Sequence, residues 1–231
     1  MTTLLPCIET STGPHPSAAV IWLHGLGADG NDFAAIVPEL DLSACAPIRF
    51  VFPHAPSIPV TLNGGYVMPA WYDILGTETQ RREDETGIRQ SALAIDALIQ
   101  RELDRGIAAD KIVLAGFSQG CAMVLHSGLR YPARLAGIMA LSGYLPLANS
   151  LPAERSPANM QLPIFMAHGT SDPMIQLPRA LASRDVLAGL GYPVQWHQYP
   201  MQHSLHPHEI QDMGHFLCSV VGADDQTASA R

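Results

Sequence analysis

The segment "KIVLAGFSQGCAMVLHSGL", residues 111–129, constrains the fold of this chain more than any other. Its first half is a continuous apolar run, as in a strand covered on both faces, and its second half has apolar residues at helical steps. Between them stands Gly116-Phe117-Ser118-Gln119-Gly120, a G-x-S-x-G. A chain that turns from strand to helix about one residue needs minimal side chains on both sides of it, because a Cβ there would meet neighbouring backbone. Such a turn lifts the Ser118 hydroxyl above the sheet. It also points the partial positive charge of a helix N-terminus at whatever the hydroxyl attacks. The segment therefore predicts a nucleophilic serine on an open α/β sheet.

The remaining pattern agrees. Apolar runs bounded by turn residues recur at 18–23, 48–52, 111–117, 135–143, 162–169 and 194–200. Helical patterns alternate with them. Residues 86–104 place Ile88, Ala92, Ile95, Leu98 or Ile99, and Leu103 at three- and four-residue steps before Gly106. Residues 119–130 and 178–190 read similarly, the latter opening at Pro178 and stopping at Gly191. Strand and helix in alternation predict a mostly parallel central sheet flanked by helices. Two long stretches rich in Pro, Gly and Asn, 53–85 and 145–161, interrupt the rhythm and are expected to shape a site. A chain of 231 residues, 47% apolar, suits one domain, expected over 1–222 with a disordered tail at 223–231.

Charge narrows the function classes. A formal net charge of −8 argues against nucleic acid as a partner, since phosphate backbones are held by clustered Lys and Arg. The basic pair Arg81-Arg82 runs straight into Glu83-Asp84-Glu85 and reads as solvated surface. No apolar stretch reaches the ~18 residues of a membrane span, and the N-terminus lacks the pattern of a signal peptide, so a cytoplasmic location is expected. Cys7, Cys45, Cys121 and Cys218 are scattered without a C-x-x-C and read as reduced thiols, a disulfide being the second reading.

A serine hydroxyl needs a base, and the base an orienting acid; after this kind of turn they follow in chain order, acid first. Asp172, in "IFMAHGTSDP", lies just past a strand's end, where the site residues of such sheets gather, whereas Asp185 and Asp212 fall in helical patterns. Five histidines follow Asp172. His197 falls inside a strand, and His206, His208 and His215 belong to a helix that Pro207 helps to start. His203 sits in the loop between that strand and that helix, placed to reach Ser118. The steps between His203, His206 and His208 do not make a regular ligand pair, so no metal is expected.

One further loop, "IWLHGLGADG" at 21–30, carries G-x-G-x-x-G after a strand. A dinucleotide site would also need an acidic residue about 20 positions on, at the end of the next strand. That strand, "IRFVF", ends in "PHAP", so no nucleotide cofactor is expected. The loop does suit an oxyanion, which needs preformed backbone N–H donors. After a His-Gly pair, His24-Gly25, the natural donor is the N–H of Leu26; the residue after the nucleophile, Gln119, supplies the other.

The chain resembles the small carboxylesterase / acyl-protein thioesterase (phospholipase-carboxylesterase) family of α/β hydrolases. The matching segments are "WLHGLGADGNDF" (22–33), "RFVFPHAPSIPVTLNGGYVMPAWYDI" (49–74), "GFSQGCAM" (116–123), "HGTSDPMI" (168–175) and "YPMQHSLHPHEI" (199–210). The resemblance implies an α/β-hydrolase fold without a large cap domain, and Ser118, His203 and Asp172 as nucleophile, base and orienting acid. It implies an oxyanion hole at Leu26 and Gln119, Trp71 and Tyr72 beside the acyl pocket, no cofactor, and a homodimer. The chain departs from the family at "MIQLP" after Asp172 and at His206-Pro207-His208, both expected near the site mouth. The expected activity is hydrolysis of short- to medium-chain carboxylic esters; the alternative is a thioesterase or lysophospholipase acting on longer chains. A non-catalytic binding protein of the same fold is disfavoured by the intact Ser118, Asp172 and His203.

Overall fold

The protein is described from a computed structural model, for residues 4–76 and 82–222. The elements are β1 (Cys7–Ser11), β2 (Ala18–Leu23), α1 (Asn31–Ala34), β3 (Ile48–Pro53), β4 (Ser57–Val60), β5 (Tyr66–Pro69), α2 (Glu85–Asp104), β6 (Ile112–Phe117) and α3 (Gln119–Gly128). They continue with β7 (Gly137–Leu141), α4 (Leu151–Glu154), β8 (Ile164–Gly169), α5 (Leu177–Gly189), β9 (Val194–Tyr199) and α6 (Pro207–Val221). Seven strands form one sheet in the order β1-β3-β2-β6-β7-β8-β9. Only β1 is antiparallel to its neighbour; every other pairing in that sheet is parallel. This is the mostly parallel, helix-flanked α/β-hydrolase fold, and among the described residues no large cap domain covers it.

The continuous apolar runs mark strands buried on both faces. Along β2, Ala19, Ile21 and Leu23 join one core with Ile88, Ile95, Leu98 and Ile99 of α2 and the whole apolar length of α3. The alternate residues Ala18, Val20 and Trp22 join the other, with Phe33 of α1 and Met213, Phe216 and Leu217 of α6. Each fully buried Leu, Ile or Phe contributes about 1.5–3 kcal/mol, so the two faces together hold the sheet between its helices. Asp84 caps α2 by accepting from the Gly87 N–H, and His206 caps α6 in a capping box with Glu209. The buried Glu102 carboxylate near the end of α2 binds Arg49, Arg101 and Arg105, anchoring that helix to β3.

Three features depart from the sequence reading. β1 has a half-polar sequence at the sheet edge, so no continuous apolar run announces it. Residues 53–85 are not an irregular loop throughout: β4 and β5 form a hairpin around Gly64 and Gly65, both at positive φ. Pro59 lies in β4 and Pro69 ends β5, which an isolated two-stranded ribbon tolerates because each strand has an unpaired edge. The third concerns the thiols. Cys45 and Cys218 are joined in a disulfide, while Cys7 and Cys121 are free. Their separation of 173 residues hides the pair from any reading of spacing; the docking of α6 beside the segment before β3 brings them together. The expected tail, 223–231, lies outside the described residues. No described helix is long and apolar enough to cross a membrane.

The pairing predicts a thiol count. Protein unfolded without reductant should titrate two thiols with a chromogenic disulfide reagent, and four after reduction. Four before reduction would refute the bridge.

Candidate active site

The turn at Ser118 shows why G-x-S-x-G is required. Ser118 adopts φ 55° and ψ −114°, a strained conformation for a residue with a side chain. The return of the chain packs α3 directly against the strands. A Cβ on Gly116 would fall 2.3 Å from the Gly120 carbonyl oxygen, and one on Gly120 would fall 2.2 Å from the Leu23 carbonyl oxygen. The Ser118 N–H donates to the Leu141 carbonyl on β7, so the strained residue is held from the sheet side as well.

The loops after β8 and β9 bring two groups to it. His203 Nε2 lies 2.9 Å from Ser118 Oγ, and His203 Nδ1 lies 2.7 Å from Asp172 Oδ2. An ionised carboxylate only accepts, so Nδ1 carries the proton and Nε2 is free to accept from the serine hydroxyl. The other oxygen of Asp172 accepts from the Met174 and Ile175 backbone N–H groups. The carboxylate side chain has no solvent exposure, and Phe117 packs its ring 4.8 Å from that of His203. His168, not anticipated from sequence, braces this loop. Its Nε2–H donates to the Ile175 carbonyl and sits 3.5 Å from Asp172 Oδ2, while burial holds its pKa down and so keeps it neutral. Its only sequence trace is its place at the end of a buried strand.

A cavity of about 370 Å³ opens beside Ser118. Leu26, Leu62, Ile74, Phe117, Met174 and Ile175 supply its apolar lining, and Gln119 and His203 border it. Leu26 and Gln119 thus share the cavity wall with Ser118. Among the described residues the Leu26 N–H has no acceptor, and the Gln119 N–H, first in α3, has no carbonyl one turn back.

The two aromatic candidates separate. Tyr72 lines the cavity and shares a 2.7 Å hydrogen bond with the Tyr144 hydroxyl, over whose ring the Arg179 guanidinium lies. Trp71 does not line it. It is buried behind the wall, where its indole N–H donates to the His24 carbonyl and its backbone N–H to the Gln119 side chain. The wide aromatic face is spent on packing, and its donors hold the site from behind. Arg82 and Glu83 are exposed, as the charge run suggests, but they border the cavity; Arg81 lies outside the described residues. Of the two departures, Met174 and Ile175 reach the cavity, whereas His206 stacks on Tyr199 at the start of α6 and does not line it.

The sequence profile described as Phospholipase/Carboxylesterase matches residues 6–221. The chain belongs to that family. Relatives named acyl-protein thioesterase 1 include one from Neurospora crassa, 43% identical over 93% of this chain and 89% of its own. Another, from Schizosaccharomyces pombe, is 44% identical over 79% of this chain and 80% of its own. Among solved structures, Arabidopsis thaliana SOBER1 superposes with a TM-score of 0.83 at 29% identity, covering 89% of this chain and 99% of that one. Zea mays acyl-protein thioesterase 2 does so with 0.81 at 29%, covering 93% and 99%. This member of the phospholipase/carboxylesterase family is thus similar along nearly its whole length to proteins named as thioesterases.

Two predictions follow from these contacts. Gly120→Ala should lower the unfolding free energy by at least about 1–3 kcal/mol, because the Leu23 carbonyl cannot retreat without breaking the sheet. Gly189→Ala, with nothing near its Cβ, should be neutral or stabilising in the same denaturant titration. The second concerns Glu209 of α6, fully buried and pushed by desolvation from 4.5 up to about 8. Between those values the folded chain keeps a proton that the unfolded chain releases. The associated stability is therefore complete below pH 4.5 and is lost as pH rises through 8. Glu209→Gln should flatten that decline and be more stable than wild type at pH 8.5 by urea midpoint; an unchanged slope would refute the assignment.

Proposed function

We propose that the protein is a serine hydrolase that deacylates thioesters and esters through an acyl-enzyme, with long acyl chains preferred over short ones. The observation that carries this reading is the apolar cavity beside a serine already hydrogen-bonded to a histidine and, through it, to a carboxylate. Its size falls within the range of small-molecule sites. The short-chain carboxylesterase expected from sequence is the second reading; the similarity to acyl-protein thioesterases favours the long-chain one.

In this reading His203 Nε2 takes the Ser118 proton as Oγ bonds to the acyl carbon. The carbonyl π electrons move onto oxygen, which the Leu26 and Gln119 N–H groups receive. Asp172 holds the imidazole in its useful tautomer and steadies the imidazolium. Collapse breaks the carbon–sulfur or carbon–oxygen bond, and His203 returns the proton to the departing thiol or alcohol. Water then repeats the sequence, leaving the free acid and Ser118. The positive end of α3, aimed at the same oxygen, adds to its stabilisation.

Ser118→Ala should lower kcat/KM by at least ~10⁴-fold with unchanged thermal unfolding, and should abolish labelling by a fluorophosphonate. In wild type, kcat/KM for palmitoyl-coenzyme A should exceed that for a butyryl thioester and for a matched short oxygen ester. A preference for the short oxygen ester would return the protein to the carboxylesterase reading. Turnover that survives Ser118→Ala would end both.

A further inference from the structure

His24 is one of several histidines buried in this fold, and both of its ring nitrogens have partners. The Ala55 backbone N–H donates to Nε2 at 3.0 Å, which makes Nε2 an acceptor. The proton must then sit on Nδ1, which lies 2.7 Å from the carbonyl oxygen of the next residue, Gly25, and donates to it. Burial pulls the ring's pKa down, in keeping with this neutral form.

The Gly25 carbonyl and the Leu26 N–H are the two ends of one planar trans peptide and point in opposite directions. Holding one aims the other. The peptide before it is held too, because the Trp71 indole N–H donates to the His24 carbonyl. Trp71 reaches the second donor as well, its backbone N–H meeting Gln119 Oε1 while Gln119 Nε2 donates to the Tyr72 carbonyl. The space on the Gly25 side is tight, with Ser118 Cβ 3.3 Å from where a Gly25 Cβ would stand.

We propose that His24 is a positioning residue for oxyanion stabilisation: its Nδ1–H clamps the Gly25 carbonyl and so turns the Leu26 N–H toward the acyl oxygen at Ser118. The assignment rests on the oxyanion reading of the preceding subsection. It gives the His of the His-Gly pair a task that is neither acid–base chemistry nor substrate contact.

The test compares His24→Ala, His24→Asn and wild type, with Ser118→Ala as blank, using p-nitrophenyl butyrate and an alkyl boronic acid that forms a tetrahedral adduct on Ser118. His24→Ala should lose ~10²-fold in kcat with KM within about threefold, the loss typical of one misplaced oxyanion donor. Boronate affinity should fall in parallel with kcat. His24→Asn, whose amide can donate from near the Nδ1 position, should recover at least tenfold. Wild-type ring-nitrogen NMR should show Nδ1 protonated, a readout that needs no variant to fold. A folded His24→Ala with kcat within twofold of wild type would overturn the proposal. So would a kcat loss without loss of boronate affinity, or an Nε2-protonated ring. If wild-type turnover survives Ser118→Ala, the hydrolase reading fails first and the His24 assignment falls with it.

Discussion

The site depends on one close approach, the backbone of Gly120 against the carbonyl of Leu23 at the end of β2. With no Cβ in the way, α3 packs onto the sheet, and the strain at Ser118 is stored where the candidate nucleophile projects. The same approach sets the beginning of α3 beside the loop that follows β2. The two candidate oxyanion donors come from those two segments, so their separation is governed by a backbone contact rather than by mobile side chains. Preorganisation of this kind lets donors act on a developing charge without reorganising during the reaction.

Around that contact the chain builds support from buried, hydrogen-bonded polar groups. Trp71, Gln119 and His24 connect the two donor segments from behind, and Ser91 accepts the task of holding Trp71 by donating to its carbonyl. On the opposite side, His168 and the Met174 and Ile175 N–H groups hold Asp172. Both supporting histidines are shifted toward the neutral form by burial. A neutral imidazole suits both places, since it can hold a backbone group without adding a charge beside the reacting one. The cavity itself is mostly apolar, with Tyr72 and Tyr144 pairing their hydroxyls rather than leaving them unsatisfied.

Much of this was legible in the residues, and the reason is local geometry. A sharp strand-to-helix turn has so few solutions that its glycines and serine must appear together, and continuous apolar runs announce strands covered on both faces. Ser118, Asp172 and His203 could be singled out because each lies just past the end of a strand. Elements without such marks were hidden: β1 is half polar, the β4–β5 hairpin carries prolines, and Cys45 and Cys218 lie 173 residues apart. Trp71 and Tyr72 show the limit most clearly. Of these two neighbours in a loop, only one lines the cavity, and no pattern in a Pro- and Gly-rich segment says which.

The sequence by itself determined the sheet-and-helix alternation, the strand-to-helix turn that carries Ser118 and the chain order of the candidate partners Asp172 and His203, because these are properties of short segments and their spacing. Only the tertiary structure decided which side chains meet. It paired the two cysteines, sent Trp71 behind the site, joined the Tyr72 and Tyr144 hydroxyls and set Arg179 over the Tyr144 ring. It also fixed the proton of His24 on Nδ1 through a backbone group 31 residues away. Such contacts depend on where separate loops land over the sheet, and that is settled by packing across the whole chain.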